Sequence, residues 1–509
     1  MKLESMKLRN FRGYKEEIFI NFDDLTTFVG KNDIGKSSIL EALDIFFNEG
    51  NGSIKIDKDD VNKEAILEGE NTSFISVCFS ELPEHIVIDT TNETTLQDEY
   101  LLNFDNKLEI LKKYVNGGKE KVFILANHLT NDNCKDLLLK SNSDLKSIIN
   151  QNNIQCDDRT KNAVMRQSIR NHYIDDMQLG DIELDVTKGD TKSIWAKVQS
   201  YLPIYALFQS DRKNSDNDSE VQDPLKEAVK YILQDAELNQ KLNEVATVVE
   251  VRLREVSNAT LEKLNEMDPC VAETLSPVIP SFDKLKWNDV FKSVSISGDN
   301  DIPINKRGSG VKRLILLNFF RAEAERRSSV ANNCSIIYAI EEPETSQHTV
   351  NQRILINAFI TLATAPNTQI ILTTHSAGIV KSLEYIHLRL ISLDEGVKNV
   401  NYVDPGQLPY PSLNEVNFQA FAEVTEEYHN ELYGYLEAEG HLVSYRTGKS
   451  TMNYNKVFRN GNTRNEQVIL TDYIRHQIHH PENTNNTRYS LDELKTSIEF
   501  MRNYIEALT

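Results

Sequence analysis

The stretch Phe28-Val29-Gly30-Lys31-Asn32-Asp33-Ile34-Gly35-Lys36-Ser37-Ser38-Ile39-Leu40-Glu41-Ala42-Leu43 decides the fold. A short apolar strand runs into a glycine-bounded loop, and the loop runs into an amphipathic helix. The spelling fits G-x-x-x-x-G-K-[ST], a loop that cradles phosphates. Gly30 and Gly35 permit backbone angles that a Cβ would forbid. The N–H groups of Asn32, Asp33, Ile34, Gly35, Lys36, Ser37 and Ser38 are then expected to face inward, at the positive end of the helix, as a concave anion site. Lys36 is expected to reach the β- and γ-phosphates, and the Ser37 hydroxyl to ligate Mg²⁺. A plain glycine turn is the alternative; strand, loop and helix appearing in order favour the nucleotide.

Composition bounds the rest. A chain of 509 residues holds two or three domains, each large enough for its own core. A formal net charge of −21 marks a self-repelling surface and argues against a general polyanion-binding shell, though not against a local basic groove. Cys78, Cys134, Cys156, Cys270 and Cys334 are scattered with no C-x-x-C pair, which points to a reducing cytoplasm and no zinc site. Met1-Lys2-Leu3-Glu4-Ser5 does not read as a signal peptide. Apolar runs such as Leu314 to Leu317 fall far short of the roughly 20 residues a membrane span needs.

The expected organisation follows from the phosphate loop. Residues 1–84 form a lobe in which a hairpin (Met6 to Gly13, then Glu17 to Phe22) leads to the buried strand before Gly30. Residues 85–200 read as an insertion of mixed structure with strands near Leu108 to Tyr114 and Lys121 to Ala126. Residues 201–270 carry a strand and then a helical arm, whose apolar positions from Leu225 to Val256 recur mostly at spacings of three or four. Pro224 opens that arm and Pro269 stops it. Residues 271–400 form a second lobe, and residues 401–509 a mainly α-helical region.

Three further elements complete an ATPase. Ser335-Ile336-Ile337-Tyr338-Ala339-Ile340-Glu341-Glu342-Pro343-Glu344 is an apolar strand ending in acid, which belongs at the mouth of a parallel sheet. Glu341 can there hold the water shell of Mg²⁺, and Glu342 can polarise an attacking water. A core strand with a solvated acidic turn is the bland reading, and a phosphate loop in the same chain weighs against it. Gln369 to Ser376 is a second buried strand ending in polar residues, with His375 placed to contact a γ-phosphate. Asn305 to Leu314 is a second Gly/Ser loop opening a helix, where Ser309 and Gly310 could bind a phosphate. One nucleotide cannot use both loops in one subunit. The geometry therefore implies a head-to-tail dimer, or a higher oligomer, with ATP between subunits.

The order of Asn-Phe-Arg-Gly hairpin, phosphate loop with Asn32, helical insertion, Gly-Ser-Gly loop, Glu-Glu-Pro-Glu and Thr-Thr-His-Ser resembles the ABC-type ATPases of the RecF, SMC and OLD kind. The resemblance covers residues 1 to about 395 and implies an α/β ABC-type head with a helical arm insertion. It implies that Arg12 lies near the base, that Glu342 is the catalytic carboxylate and His375 the switch histidine, and that Gln209 is the Q-loop glutamine ligating Mg²⁺. The loop at Ser309 departs from the transporter spelling Leu-Ser-Gly-Gly-Gln, so a transporter subunit is disfavoured.

The tail selects among relatives. OLD nucleases carry a Toprim domain, whose strand-borne Glu and Asp-x-Asp are missing after Leu393. Asn414 to Phe418, Tyr428 to Gly434 and Asp472 to Asn483 instead resemble PtuA-type ATPases of Septu and retron-linked anti-phage systems. Those work beside an HNH nuclease, PtuB. That resemblance implies an ATP-sensing scaffold with a nuclease partner, and contact with phage DNA or a retron RNA–DNA. Arg475 and His480 also fit the R-x(4–6)-H pattern of HEPN ribonucleases, so an ATP-regulated ribonuclease stays open, as does a RecF/SMC-like repair ATPase. His480 could equally end a helix, with Pro481 as its stop. Arg446, Lys449, Lys456, Arg459, Arg464 and Arg475 face only Glu466 and Asp472, which makes this flank locally basic. It is a candidate contact for nucleic acid or an acidic partner, or else a solvated face.

Overall fold

The strand that leads into the phosphate loop, Leu25–Val29, is buried along its whole length. That is the signature of a strand covered on both faces of a parallel sheet. The computed structural model describes residues 1–48, 52–83, 86–89, 92–209, 238, 240–245, 247–248, 251–252, 335–345, 349–394, 396–458 and 461–508. The chain divides into two compact units, Met1–Ser210 with Glu323–Thr509, and Asp211–Ala322. In the second unit the described residues, all between 238 and 252, are helical. The rest of the expected helical arm lies outside the described residues, as do Ser309 and Gly310.

In chain order the strands of the first half are β1 (Lys2–Arg9), β2 (Ile18–Asn21), β3 (Leu25–Val29), β4 (Thr72–Ser80), β5 (Ile86–Asp89), β6 (Asn92–Thr94), β7 (Leu108–Val115), β8 (Glu120–Leu129), β9 (Leu179–Asp185) and β10 (Ile204–Phe208). Then follow β11 (Ile336–Glu341), β12 (Thr368–Thr374), β13 (Leu388–Asp394), β14 (Val397–Tyr402), β15 (Thr451–Val457) and β16 (Thr463–Ile469). The helices are α1 (Lys36–Asn48), α2 (Lys63–Leu67), α3 (Asn142–Gln151), α4 (Asn162–His172), α5 (Thr191–Tyr201), α6 (Thr349–Ala363), α7 (Ala377–Val380), α8 (Leu413–Phe421), α9 (Glu426–Ala438), α10 (Leu442–Arg446), α11 (Leu470–His479) and α12 (Leu491–Glu506).

Two six-stranded sheets build the lobe that carries the glycine-bounded loop. One is antiparallel, in the order β2-β1-β4-β7-β8-β9, so residues 85–200 extend the sheet begun by the N-terminal hairpin. The other runs β10-β11-β12-β3-β13-β14, parallel except for β14. Its register places Phe208 beside Ile340, Glu341 beside Thr373, and Thr374 beside Val29. The carboxyl ends of four adjacent strands are thus level, at the edge where open α/β sheets bind ligands. Helix α1 buries Ile39, Leu40, Leu43, Ile45 and Phe46 in the core between the sheets. Each such side chain contributes on the order of 1.5–3 kcal/mol. No helix among the described residues is long and apolar enough to cross a membrane.

The C-terminal region packs α9, α11 and α12 around Leu432, Leu436, Ile474, Leu494, Ile498 and Met501. It is mainly helical, with β15 and β16 as a separate antiparallel hairpin. Its core also holds charge. Glu415, fully buried, accepts from Tyr428 and pairs with Arg502 at 2.5 Å. His429, also fully buried, meets Ser497 Oγ at 3.0 Å through Nε2. Burial, and then the charge of Arg475, push its pKa down to about 3, against a weaker opposing pull from Asp472. The unfolded chain therefore binds a proton at His429 below about pH 6.5 while the folded one does not until about pH 3. Stability at this site is full above pH 6.5 and is lost as pH falls through that window. Denaturant titrations at pH 7.5 and pH 5 should show His429→Gln losing about 2 kcal/mol less than the parent. An equal acid loss in both would show that His429 is already charged in the native state.

Candidate functional site

The phosphate loop is shaped by backbone that suits small residues. Gly35 sits at φ +115°, and a Cβ there would come within 2.8 Å of the Tyr14 hydroxyl. That hydroxyl donates to Gly35 O at 3.1 Å and pins the loop to the β1–β2 hairpin. At Gly30 a Cβ would lie 2.9 Å from Ile391 O, on β13. Asp33 adopts φ +59°, and Lys31, Asn32 and Asp33 are exposed, while Ile34 packs against the core. The first turn of α1 contains no acidic residue, so its positive end is left for an anion.

Lys36 is buried, and its ammonium donates to Gly30 O at 2.8 Å and Lys31 O at 2.9 Å. Burial lowers its pKa, while Glu342, Glu344, Asp33 and Glu341 pull the other way. Ser37 donates its hydroxyl to the Glu341 carboxylate, which joins the loop to the end of β11. Beside it Glu342 takes a left-handed backbone, φ +42°, with its N–H donating to Thr373 O at 3.0 Å. A non-glycine residue in that region is strained by about 1–3 kcal/mol and persists where its surroundings hold it. Its Oε1 lies 3.2 Å from His375 Nδ1. Glu344, nearly buried, braces the same corner, accepting from Thr374 Oγ1 at 2.7 Å and from the His375 N–H at 3.0 Å.

Arg12 lies in the β1–β2 turn at φ +48°. Its guanidinium pairs with Glu41 on α1 and, at 2.8 Å, with Asp60. Burial alone would lower its pKa, but the Glu41 and Asp60 carboxylates outweigh that and hold it above its ordinary value. Gln209, directly after β10, donates from Nε2 to Glu41 Oε1 at 3.0 Å. Its other amide atom, Oε1, is buried and has no hydrogen-bond partner among the described residues.

The structure thus gathers Arg12, Gln209, Lys36, Ser37, Glu341, Glu342 and His375 along one edge of the parallel sheet and the adjoining face of α1. An orphaned buried carbonyl oxygen beside a hydroxyl–carboxylate pair suits a hard cation such as Mg²⁺, which takes oxygen ligands and shares its shell with phosphates. The sequence alone does not mark Glu41, Glu344 or Tyr14 as site residues. Glu41 carried a signal all the same, since it stands four residues after Ser37, one turn along the same helix face.

Arg475 and His480 are not brought together. Arg475 donates to Asn430 Oδ1 at 2.9 Å and lies over the Tyr433 ring, whereas exposed His480 faces Glu482 at 3.2 Å. The basic flank is also partly engaged within its own domain. Arg446 is bidentate on Asp472, and Lys449 lies over the rings of Tyr445 and Phe500.

The sequence profile of the AAA ATPase domain matches residues 1–380. No curated protein matches the chain. Among solved structures, the SMC head domain from Thermotoga maritima aligns with 79% of this chain and 100% of its own, at 12% identity and a TM-score of 0.32. An SMC head bound to the C-winged helix domain of ScpA covers 79% and 98%, at 12% identity and 0.36. An SMC head with an extended coiled coil, bound to the C-terminal domain of ScpA derived from Pyrococcus furiosus, covers 78% and 95%, at 13% and 0.34.

Proposed function

The chain belongs to the AAA ATPase domain family, and we propose that it is an Mg²⁺-dependent, ATP-binding and hydrolysing scaffold that controls a partner HNH nuclease in a bacterial anti-phage defence complex. The observation that carries the ATPase reading is the convergence of Lys36, the Ser37–Glu341 pair and the Glu342–His375 pair at level strand ends. Lys36 leaves its carbonyl partners to bond the β- and γ-phosphates. Ser37, Glu341 and Gln209 Oε1 would hold Mg²⁺, which when bound would draw charge from the phosphate oxygens. Without that cation the triphosphate would face Glu341, Glu342 and Glu344, the carboxylates that surround Lys36, and so binding is Mg²⁺-dependent. Glu342 accepts a proton from the attacking water. His375, with its Nδ1 against Glu342 and its backbone N–H donating to Glu344, orients the Glu342 carboxylate and offers its other ring nitrogen, Nε2, to the γ-phosphate.

The scaffold role is supported by the resemblance of the tail from Asp472 to Asn483 and by a contact close to His375. Ser376 precedes α7, and α8 of the C-terminal region docks there, with Asn417 Nδ2 donating to Ala377 O at 3.3 Å and Lys381 paired with Glu427. A shift of His375 on nucleotide binding thereby has a short route into α8 and α9. Ser309 and Gly310 of a second subunit close over the triphosphate, so the working form is a head-to-tail dimer or larger.

The experiment is direct. A small HNH protein should be encoded beside this chain; purified chain alone should cut neither DNA nor RNA, and cleavage should appear only when that protein is added. Cleavage of RNA by the isolated chain without metal, lost in His480→Ala, would replace the scaffold by a ribonuclease. Mass photometry with ATP and Glu342→Gln should show dimers or larger species, and a monomer hydrolysing ATP at full rate would exclude the shared site.

A further inference from the structure

Glu41 holds two groups with its two oxygens: Oε2 is paired with the Arg12 guanidinium, and Oε1 accepts from Gln209 Nε2 at 3.0 Å. A side-chain amide has one face that donates and one that accepts, and a carboxylate beside a guanidinium only accepts. The NH₂ of Gln209 must therefore point at Glu41, and its carbonyl oxygen must point away. That oxygen is buried and has no hydrogen-bond partner among the described residues. A buried, unpaired amide oxygen costs about 1–3 kcal/mol, so a native site that keeps one has a ligand for it in another state.

We propose that Glu41 is a positioning residue: it fixes the amide of Gln209 so that the oxygen, rather than the nitrogen, is presented to the divalent cation of the nucleotide. Free rotation about the last bond of Gln209 would turn an NH₂ donor toward the cation half of the time and repel it. Glu41 removes that choice, and Arg12 in turn keeps Glu41 in place, itself anchored by Asp60 at 2.8 Å and by its backbone N–H to Asp60 O at 2.6 Å. The chain Asp60–Arg12–Glu41–Gln209 is thus an outer shell of the kind that orients metal ligands, here running from the β1–β2 turn across α1 to the end of β10. This inference rests on the ATP and Mg²⁺ reading above.

The test reads cation binding, not turnover. Mn²⁺ replaces Mg²⁺, and its free concentration is followed by electron paramagnetic resonance in the presence of the full chain and the non-hydrolysable nucleotide adenylyl imidodiphosphate. Gln209→Ala should weaken nucleotide-dependent Mn²⁺ binding about tenfold, and Glu41→Ala should weaken it by a similar factor. In the Gln209→Ala background, removing Glu41 should change Mn²⁺ affinity no further, because its effect passes through that amide. Thermal midpoints are measured alongside to follow folding. If Glu41→Ala does not fold, Glu41→Gln serves, since it leaves one carbonyl oxygen for two donors. Its smaller loss, about threefold, should likewise vanish in the Gln209→Ala background. Equal losses with and without Gln209, or no loss at all, would overturn the role of Glu41 while leaving the nucleotide site intact. No nucleotide-dependent Mn²⁺ binding in the parent chain would instead overturn the ATP reading itself.

Discussion

Lys36→Ala removes measurable nucleotide binding. In the folded chain the ammonium is buried and already held by Gly30 O and Lys31 O, so it needs only a small movement to meet the β- and γ-phosphates. Truncating a buried, hydrogen-bonded charge that faces an anion costs about 4 kcal/mol, roughly a thousandfold in affinity. The remaining carboxylates, Glu341, Glu342 and Glu344, make the loss larger, because Lys36 is the cation that they surround. The fold should survive, since exposed Lys31 can turn its freed carbonyl to water and only the carbonyl of buried Gly30 loses its partner. Titration calorimetry with ATP and Mg²⁺ reads the affinity, and circular dichroism reads the fold. Micromolar binding by a folded Lys36→Ala would place the nucleotide elsewhere.

Glu342→Gln separates binding from turnover. The change keeps shape and keeps an oxygen for His375 Nδ1, 3.2 Å away, but removes the group that accepts the proton of water. Loss of a positioned general base lowers turnover by about 10²–10⁴-fold. Affinity should hold or rise, because one negative charge facing the triphosphate is gone. The trapped, ATP-loaded form is then the species in which to look for subunit association.

Much of this site was legible because its strands are buried on both faces. Phe28-Val29, Ile336 to Ile340 and Gln369 to Leu372 read as unbroken apolar or nearly apolar runs with chemistry at their ends, and the parallel sheet sets those ends level. Periodicity served less well where strands are half-exposed. In β9, Leu-Gly-Asp-Ile-Glu-Leu-Asp at the edge of the antiparallel sheet, Leu184 is buried while Leu179 is exposed, and little in the sequence announces a strand. The hairpin β15–β16 buries Tyr454 and Ile469 among polar neighbours, so a region expected as helical gave no strand pattern. Pairings across the fold were out of reach altogether. Arg12, Glu41, Asp60 and Gln209 are distant in sequence, and a carboxylate inside the apolar pattern of α1 looks like a solvated helix position until the hairpin and β10 are brought against it. Lys36 and Ser37 needed no such context, because the motif that names them is local.

The most direct measurement of the central claim is phosphate release from ATP by the purified chain, with Mg²⁺ and with excess EDTA, in parent and Glu342→Gln protein loaded to the same occupancy. The account predicts release by the parent with Mg²⁺, none with EDTA, and at least a hundredfold slower release by Glu342→Gln despite equal or tighter ATP binding. Release by Glu342→Gln at the parental rate would contradict it.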